Sequence, residues 1–143
     1  MPDHDWVVGE AGGLIFRGMR GESDYALMLS IVRSSLEADH SHEEVHLEDF
    51  PQTYTPSDKM DPTRQVLIAA LAHDPDHPIG YSRLGWYSSS PQNRLYDQTS
   101  HLRREYRASG LWPAIVRQNE LRLRELAREH APVAQRFFQA WSS

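Results

Sequence analysis

The fold of this chain is decided by residues 95–130, which read LYDQTSHLRREYRASGLWPAIVRQNELRLRELAREH. The pattern predicts a strand over residues 95–102, a tight loop over 103–110 and a helix over about 111–130. Pro113 suits the first turn of that helix, where a missing N–H group costs least. A strand, a loop and a helix therefore follow one another directly.

The predicted helix is amphipathic at 3.6 residues per turn. One face comprises Trp112, Ile115, Val116, Asn119, Leu123, Leu126, Ala127 and His130. The other carries Arg117, Glu120, Arg124, Glu125 and Arg128. Because Gly110 lies just before the helix, free backbone N–H groups and the positive end of the helix dipole point to the same place. The sequence thus predicts an anion site at this helix N-terminus.

The loop at residues 107–112, RASGLW, resembles motif A of the GNAT superfamily of acyl-CoA-dependent N-acyltransferases. That motif reads Arg/Gln-x-x-Gly-x-Gly/Ala, and Arg107 and Gly110 fill its first two defined positions. Trp112 stands where the family has glycine or alanine. The resemblance covers roughly residues 14–141, but only this stretch is specific.

The resemblance implies acetyl-CoA as cosubstrate, with its pyrophosphate held by backbone amides of the loop. The implied cofactor-binding residues are Leu102, Arg107, Ala108, Ser109, Gly110, Leu111 and Trp112. The backbone of Leu102 would contact the pantetheine arm and the thioester. Some members carry a general-base carboxylate near the start of this strand, a position that Asp97 matches. The alternative for Asp97 is an exposed aspartate at a strand end.

Two other readings stay open at this stage. A tryptophan at position 112 crowds the approach of a diphosphate unless its side chain points into the core, and Pro113 removes one N–H group. This favours a GNAT-like domain that no longer catalyses and has a binding or structural role. The third reading is an interaction module built on the basic helix, without a cofactor.

The rest of the chain predicts an α/β (α+β) fold, with a mixed, mainly antiparallel sheet flanked by helices. Residues 14–17 read as a strand and 18–21 as a turn, and Ser23 or Asp24 can cap a helix to about residue 37. Its apolar stripe is Tyr25, Met28, Leu29, Val32 and Leu36. Strands over 65–71, 79–87 and 95–102, joined by short polar turns, form an antiparallel meander. Residues 1–13 are polar and are expected to fray.

The end of the sequence predicts one more strand, residues 136–141, after a break at Ala131-Pro132. A complete GNAT domain continues with a helix and two further strands, so residues 1–143 are expected to form a single domain that lacks them. This indicates a fragment, a half completed by another chain, or one domain of a tandem protein. The apolar edge strand predicts self-association or pairing with the missing segment.

Composition narrows the function. The chain has no cysteine, which excludes disulfides and thiolate chemistry. It also has no apolar run long enough to span a membrane, so a cytoplasmic protein is expected.

The charge is distributed unevenly along the chain. Residues 1–93 hold six basic and fifteen acidic side chains, a charge of −9, whereas residues 94–143 hold nine basic and five acidic side chains, a charge of +4. On a functional reading, the basic half faces an anionic cofactor and the acidic half a cationic amine acceptor. Solvated helix faces are the simpler explanation.

Other functions find less support in the sequence. The Gly-x-Ser-x-Gly pattern of serine hydrolases and the P-loop pattern are both absent. The overall charge of −5 and the lack of a helix-turn-helix pattern argue against nucleic-acid binding. Residues 39–61 contain His40, His42 and His46 among carboxylates, but without a known ligand spacing, so no metal site is predicted.

Overall fold

The computed structural model describes residues 9–11, 13–57, 60–130, 133 and 135–142. The strands are β1 Gly9–Ala11, β2 Leu14–Gly18, β3 Val66–Leu71, β4 Gly80–Ser90, β5 Asn93–Leu102 and β6 Gln135–Ser142. The helices are α1 Tyr25–Ala38, α2 Phe50–Tyr54, α3 Pro62–Gln65 and α4 Trp112–Ala127. Single 3-10 turns cover Glu22–Asp24, Leu47–Asp49 and Arg104–Tyr106.

The six strands form one sheet in sequential order, β1-β2-β3-β4-β5-β6. Neighbours from β1 to β5 are antiparallel, and β6 runs parallel to β5. This confirms the predicted mixed, mainly antiparallel sheet. The α4 helix forms the crossover that a parallel strand pair requires.

Two boundaries differ from the sequence prediction. The turn expected over residues 88–93 is shorter, because β4 and β5 stay paired up to Ser90 and Asn93, with a register shift between Ser88 and Ser90. The expectation that residues 1–13 fray is wrong for Gly9–Ala11, which pairs with β2. Residues 1–8 and 12, and the predicted break at 131–132, lie outside the described residues.

Helices α1 and α2 cover one face of the sheet. Their core cluster consists of Met19, Tyr25, Met28, Ile31, Val32, Leu36, Phe50, Tyr54, Val66, Ile68 and Tyr81. The helix α4 covers the other face. Its two clusters comprise Leu14, Phe16, Ala69, Ile79, Leu102 and Ile115, and Leu67, Leu84, Tyr96, Leu123, Leu126 and Ala127. Strand β3 contributes alternate residues to both faces, as expected for a buried apolar run.

A buried polar cluster fastens α4 to the sheet. The Asn119 side chain is fully buried, and its amide nitrogen lies 2.8 Å from Ser82 Oγ, 2.9 Å from Gln98 Oε1 and 3.2 Å from Ser100 Oγ. The two serine hydroxyls lie 2.8 Å apart. Because buried polar groups must find partners, this cluster fixes how α4 sits on β4 and β5.

The start of α1 is held differently from the sequence prediction. Neither Ser23 nor Asp24 caps the helix by a side-chain hydrogen bond. The Asp24 carboxylate instead accepts two hydrogen bonds of 2.8 Å from Arg17 and one of 2.7 Å from the N–H of Arg20. The Arg17 and Asp24 side chains are only 3% and 6% exposed. A buried ion pair therefore joins β2 to the first turn of α1.

Candidate functional site

The loop between β5 and α4 is built around a left-handed glycine. After the turn Arg104–Tyr106, the chain reaches Gly110, whose φ is +77°. Only glycine adopts this conformation at little cost. A Cβ atom built on Gly110 would meet nothing within 4 Å. The glycine is therefore required by its backbone angle, and open space lies beside it.

This loop leaves backbone donors free at the start of α4. The N–H groups of Tyr106, Arg107 and Ser109 donate within the loop. Among the described residues, no hydrogen bond starts from the N–H groups of Gly110, Leu111 or Trp112, and no side chain caps the helix. Unpaired N–H groups and the dipole of this helix make its N-terminus attractive to an anion.

Arg107 ties the loop to the end of α1. Its guanidinium lies 2.6 Å from Asp39 Oδ1, and it donates to the backbone oxygen and the hydroxyl of Ser35, each at 3.3 Å. The same guanidinium lies 5.6 Å from the centre of the Trp112 ring. Arg107 thus braces the loop.

Trp112 is the first residue of α4. It is half-buried and packs against the cluster that contains Leu14, Phe16 and Ile115. Its side chain therefore serves the core, as the helix projection indicated. Pro113 is the second residue of α4, so one N–H group is missing at this end.

Among the described residues, β6 pairs with most of the strand that precedes the loop. The β5–β6 pairing runs from Asn93 with Gln135 to Ser100 with Ser142. Within the described residues, no β6 partner extends to His101 or Leu102. The Leu102 side chain is fully buried. The last two residues of β5 thus adjoin both the loop and the end of the β6 pairing.

Asp97 lies elsewhere on the same strand. It is half-buried, on the face that α1 and α2 cover, and opposite Gly85 in β4. A Cβ atom on Gly85 would come within 3.0 Å of Asp97 Oδ1, so the glycine makes room for the carboxylate. Asp97 lines a cavity of about 320 Å³ with Arg83 and Thr99. Along the strand it is about 16 Å from Leu102, so the structure does not bring Asp97 and the loop together.

Comparison with solved structures identifies the fold. The chain is similar to a GCN5-related N-acetyltransferase from Sphaerobacter thermophilus, with a TM-score of 0.63 and 12% identity over 84% of this chain and 35% of that one. It is similar to another from Kribbella flavida, with a TM-score of 0.56 and 16% identity over 80% and 67%. The chain has the GNAT fold. It spans about a third of the length of the first of these relatives.

A third GNAT structure was solved with a ligand. The yncA protein from Salmonella typhimurium, whose structure includes its cofactor acetyl-CoA, matches with a TM-score of 0.55 and 14% identity over 81% of this chain and 66% of that one. Comparison of the sequence with protein-family models and with curated proteins gives no match.

A second cavity lies on the α1 and α2 face of this GNAT fold, with a volume of about 230 Å³. Its walls are Val32, Leu36, Glu43, Val45, Asp49, Phe50, Thr53, Tyr54, Tyr81 and His101. We call it the aromatic cavity. Sequence analysis did not single out Tyr81 or His101 as site residues, although their rings lie only 5.0 Å apart. Only the pairing of β4 with β5, which places the two residues directly opposite each other, brings them together.

Burial sets the ionisation of the groups around the aromatic cavity. It lowers the pKa of the His101 imidazole to about 4, while the Asp39 carboxylate raises it and the Arg107 guanidinium lowers it. Burial likewise raises the pKa of Tyr54 and of Tyr81, which hydrogen-bond to each other. These three side chains are therefore uncharged at neutral pH.

The histidine-rich segment at residues 40–46 forms no metal cluster in the described part of the chain. It lies in the connection that leads from α1 to α2. In the same described residues, every helix is too short or too polar to cross a membrane.

Proposed function

We propose that this protein is an acyl-CoA-dependent N-acyltransferase that transfers acetyl from acetyl-CoA to an amine. The observation that carries the proposal is the start of α4, where no hydrogen bond in the described part of the chain starts from the N–H groups of Gly110, Leu111 and Trp112, and open space lies beside them. Such a helix start binds pyrophosphate. The GNAT fold supports the choice of an acyl-CoA, since one structure of this fold contains acetyl-CoA.

The transfer needs few protein groups. The amine nitrogen attacks the thioester carbonyl, the C–N bond forms, the C–S bond breaks, and the sulfur leaves as the thiol after taking a proton. An acceptor that arrives as an ammonium ion loses two protons: a general base at the site takes one before the nitrogen can attack, and the second leaves as the C–N bond forms and balances the proton that the sulfur takes. Asp97 is the carboxylate that we propose for this role, and because it lies about 16 Å from Leu102 along β5, it would act through a chain of several water molecules. No cysteine is needed, because the amine attacks directly.

A second candidate function is binding of an acyl-CoA without catalysis. Pro113 removes a donor from the first turn of α4, and the Arg107 guanidinium is bound to Asp39 and Ser35. Both features leave less charge and fewer donors for a phosphate. A domain that holds the cosubstrate weakly and transfers nothing fits this observation.

Isothermal titration with acetyl-CoA, followed by a turnover assay on an amine panel, tests these functions. Binding together with release of free thiol supports the N-acyltransferase. Binding without turnover of any amine supports the second candidate. Absence of binding, with affinity for DNA instead, contradicts both and favours an interaction module built on the basic helix α4.

A further inference from the structure

We propose that the aromatic cavity is the acceptor pocket and that its substrate is a small primary amine carrying an aromatic or bulky apolar group. The inference rests on the proposed function and names the chemical class of its acceptor. Pockets for drug-sized ligands measure about 300–1,000 Å³. At about 230 Å³ the aromatic cavity suits a smaller molecule.

The walls of the cavity select for an apolar substituent. Phe50 and Tyr54 stack with their ring centres 5.7 Å apart. Val32 and Leu36 of α1 line the cavity with them. A flat or branched apolar group fills such a space better than a flexible polar chain, because each buried polar group of the ligand would need a partner.

The charges at the cavity select for a cation. Glu43 and Asp49 are in its lining, and none of the described lining residues is a lysine or arginine, although the charges of Arg83 and Arg107 act on the tyrosine and histidine rings from outside the lining. The neutral faces of Tyr54 and Tyr81 add attraction for an ammonium group, since aromatic rings carry negative charge on their faces. Because His101 is neutral at neutral pH, it does not repel the incoming cation.

The position of the cavity links it to the cofactor loop. Helix α1 contributes Leu36 to the cavity, while Ser35 of this helix and Asp39, which directly follows it, hold Arg107 of the loop. On the sheet side, His101 lines the cavity and directly precedes Leu102, the last residue of β5. An amine with its apolar group against α1 and α2 would present its nitrogen to the end of β5. The acceptor and the acyl donor then meet at this strand end.

The test uses the full chain saturated with acetyl-CoA and compares 2-phenylethylamine with ethanolamine and spermidine. Release of free thiol gives kcat/KM for each amine, and titration of 2-phenylethylamine into the protein with coenzyme A gives its affinity independently of turnover. We expect kcat/KM for 2-phenylethylamine to exceed that for both other amines by about tenfold or more, because only this amine fills the apolar walls. A preference for spermidine or ethanolamine overturns the assignment of the acceptor.

Two matched pairs of variants locate the site. Thr53→Phe fills the cavity from α2, and Gln52→Phe adds the same ring at the neighbouring exposed position. Binding of 2-phenylethylamine should fall about tenfold or more in Thr53→Phe only. Glu43→Gln should raise KM about threefold, whereas Glu48→Gln, outside the cavity, should not. Equal effects within each pair contradict the proposal.

The outcomes separate this inference from the proposed function. If the chain binds acetyl-CoA and acetylates an amine, but Thr53→Phe does not change binding of 2-phenylethylamine, only the acceptor pocket is wrong. If acetyl-CoA does not bind at all, the proposed function fails, and the acceptor assignment fails with it. Melting temperatures of all four variants show whether a loss of binding comes from loss of the fold.

Discussion

The Arg107 guanidinium lies 2.6 Å from Asp39 Oδ1 and so joins the loop before α4 to the end of α1. These two residues are 68 positions apart in the sequence. Both side chains are partly exposed, at 24% and 31%. The contact holds the loop next to the helix that lines the aromatic cavity.

Breaking this contact is expected to weaken acetyl-CoA binding. Arg107→Ala releases the loop, and a more mobile loop loses more conformational entropy when it becomes ordered around a ligand. We expect a loss of affinity of about threefold to tenfold, with a stability change of about 1 kcal/mol or less, because partly exposed pairs contribute little. The control is Arg104→Ala, which removes a neighbouring exposed pair with Glu37. An equal loss of affinity in both variants would mean that the loss of a positive charge near the ligand, and not the release of the loop, weakens binding.

Replacing Gly110 should affect binding more than stability. Gly110→Ala and Gly13→Ala both place an alanine at positive φ, +77° and +81°, where nothing crowds the new Cβ. Each should therefore cost about 1 kcal/mol of unfolding free energy. Only Gly110→Ala should also lower the affinity for acetyl-CoA in isothermal titration. Equal affinities in the two variants would mean that the loop does not contact the cosubstrate.

Asp97→Asn tests the proposed general base. The substitution keeps the size of the side chain and removes its basicity, so kcat should fall about tenfold to a hundredfold or more, while acetyl-CoA affinity stays unchanged. In the variant, kcat should also no longer fall at low pH, because the group whose protonation causes that fall is removed. Thr99→Val, a change in the same cavity, is the control and should leave the pH profile intact. An unaltered profile in Asp97→Asn would leave Asp97 a surface aspartate.

The buried pair of Arg17 and Asp24 predicts a pH dependence of stability. Burial by itself raises the pKa of Asp24, but the hydrogen bonds from Arg17 and from the N–H of Arg20, with the charges of both arginines, lower it below its ordinary value of 3.8. A carboxyl group with a lowered folded pKa stabilises the protein above its unfolded pKa, and this stabilisation is lost as the pH falls through the folded value.

Asp24→Asn should therefore cost about 3–5 kcal/mol of unfolding free energy at pH 7, because it leaves a buried arginine without its counter-charge. The difference from the natural chain should shrink as the pH falls below about 4. Urea unfolding at several pH values measures it. Asp74→Asn, which removes an exposed pair with His77, is the control and should change stability by less than about 1 kcal/mol. A pH-independent difference would contradict the assignment.

Strand β6 should make the protein self-associate. It is an edge strand of the described sheet, and Phe137 on it is 45% exposed. Exposed edge strands with apolar side chains invite pairing with another chain. Sedimentation equilibrium should show dimers or larger species that Phe137→Lys reduces and Gln135→Lys on the same strand does not. A monomer at high concentration would contradict this prediction.

The sequence alone determined the consecutive strand, loop and helix that form the proposed anion site. The change from a strand pattern to a helical period across residues 95–130, with Gly110 between them, predicted β5, the loop and α4 within a few residues. It placed Trp112 on the apolar face of α4 but left open whether the side chain crowds the loop, and the structure packs it against a core cluster. Such features depend on neighbouring residues only, which is why a single sequence reveals them.

The tertiary structure decided which distant residues meet. Register between β4 and β5 placed Tyr81 opposite His101, and the packing of α1 on the sheet brought Asp39 to Arg107. It also separated Asp97 from the loop. No local pattern encodes these relationships, because a shift of one residue in strand pairing moves every side chain to the other face of the sheet. The aromatic cavity therefore follows from the packing of the whole domain.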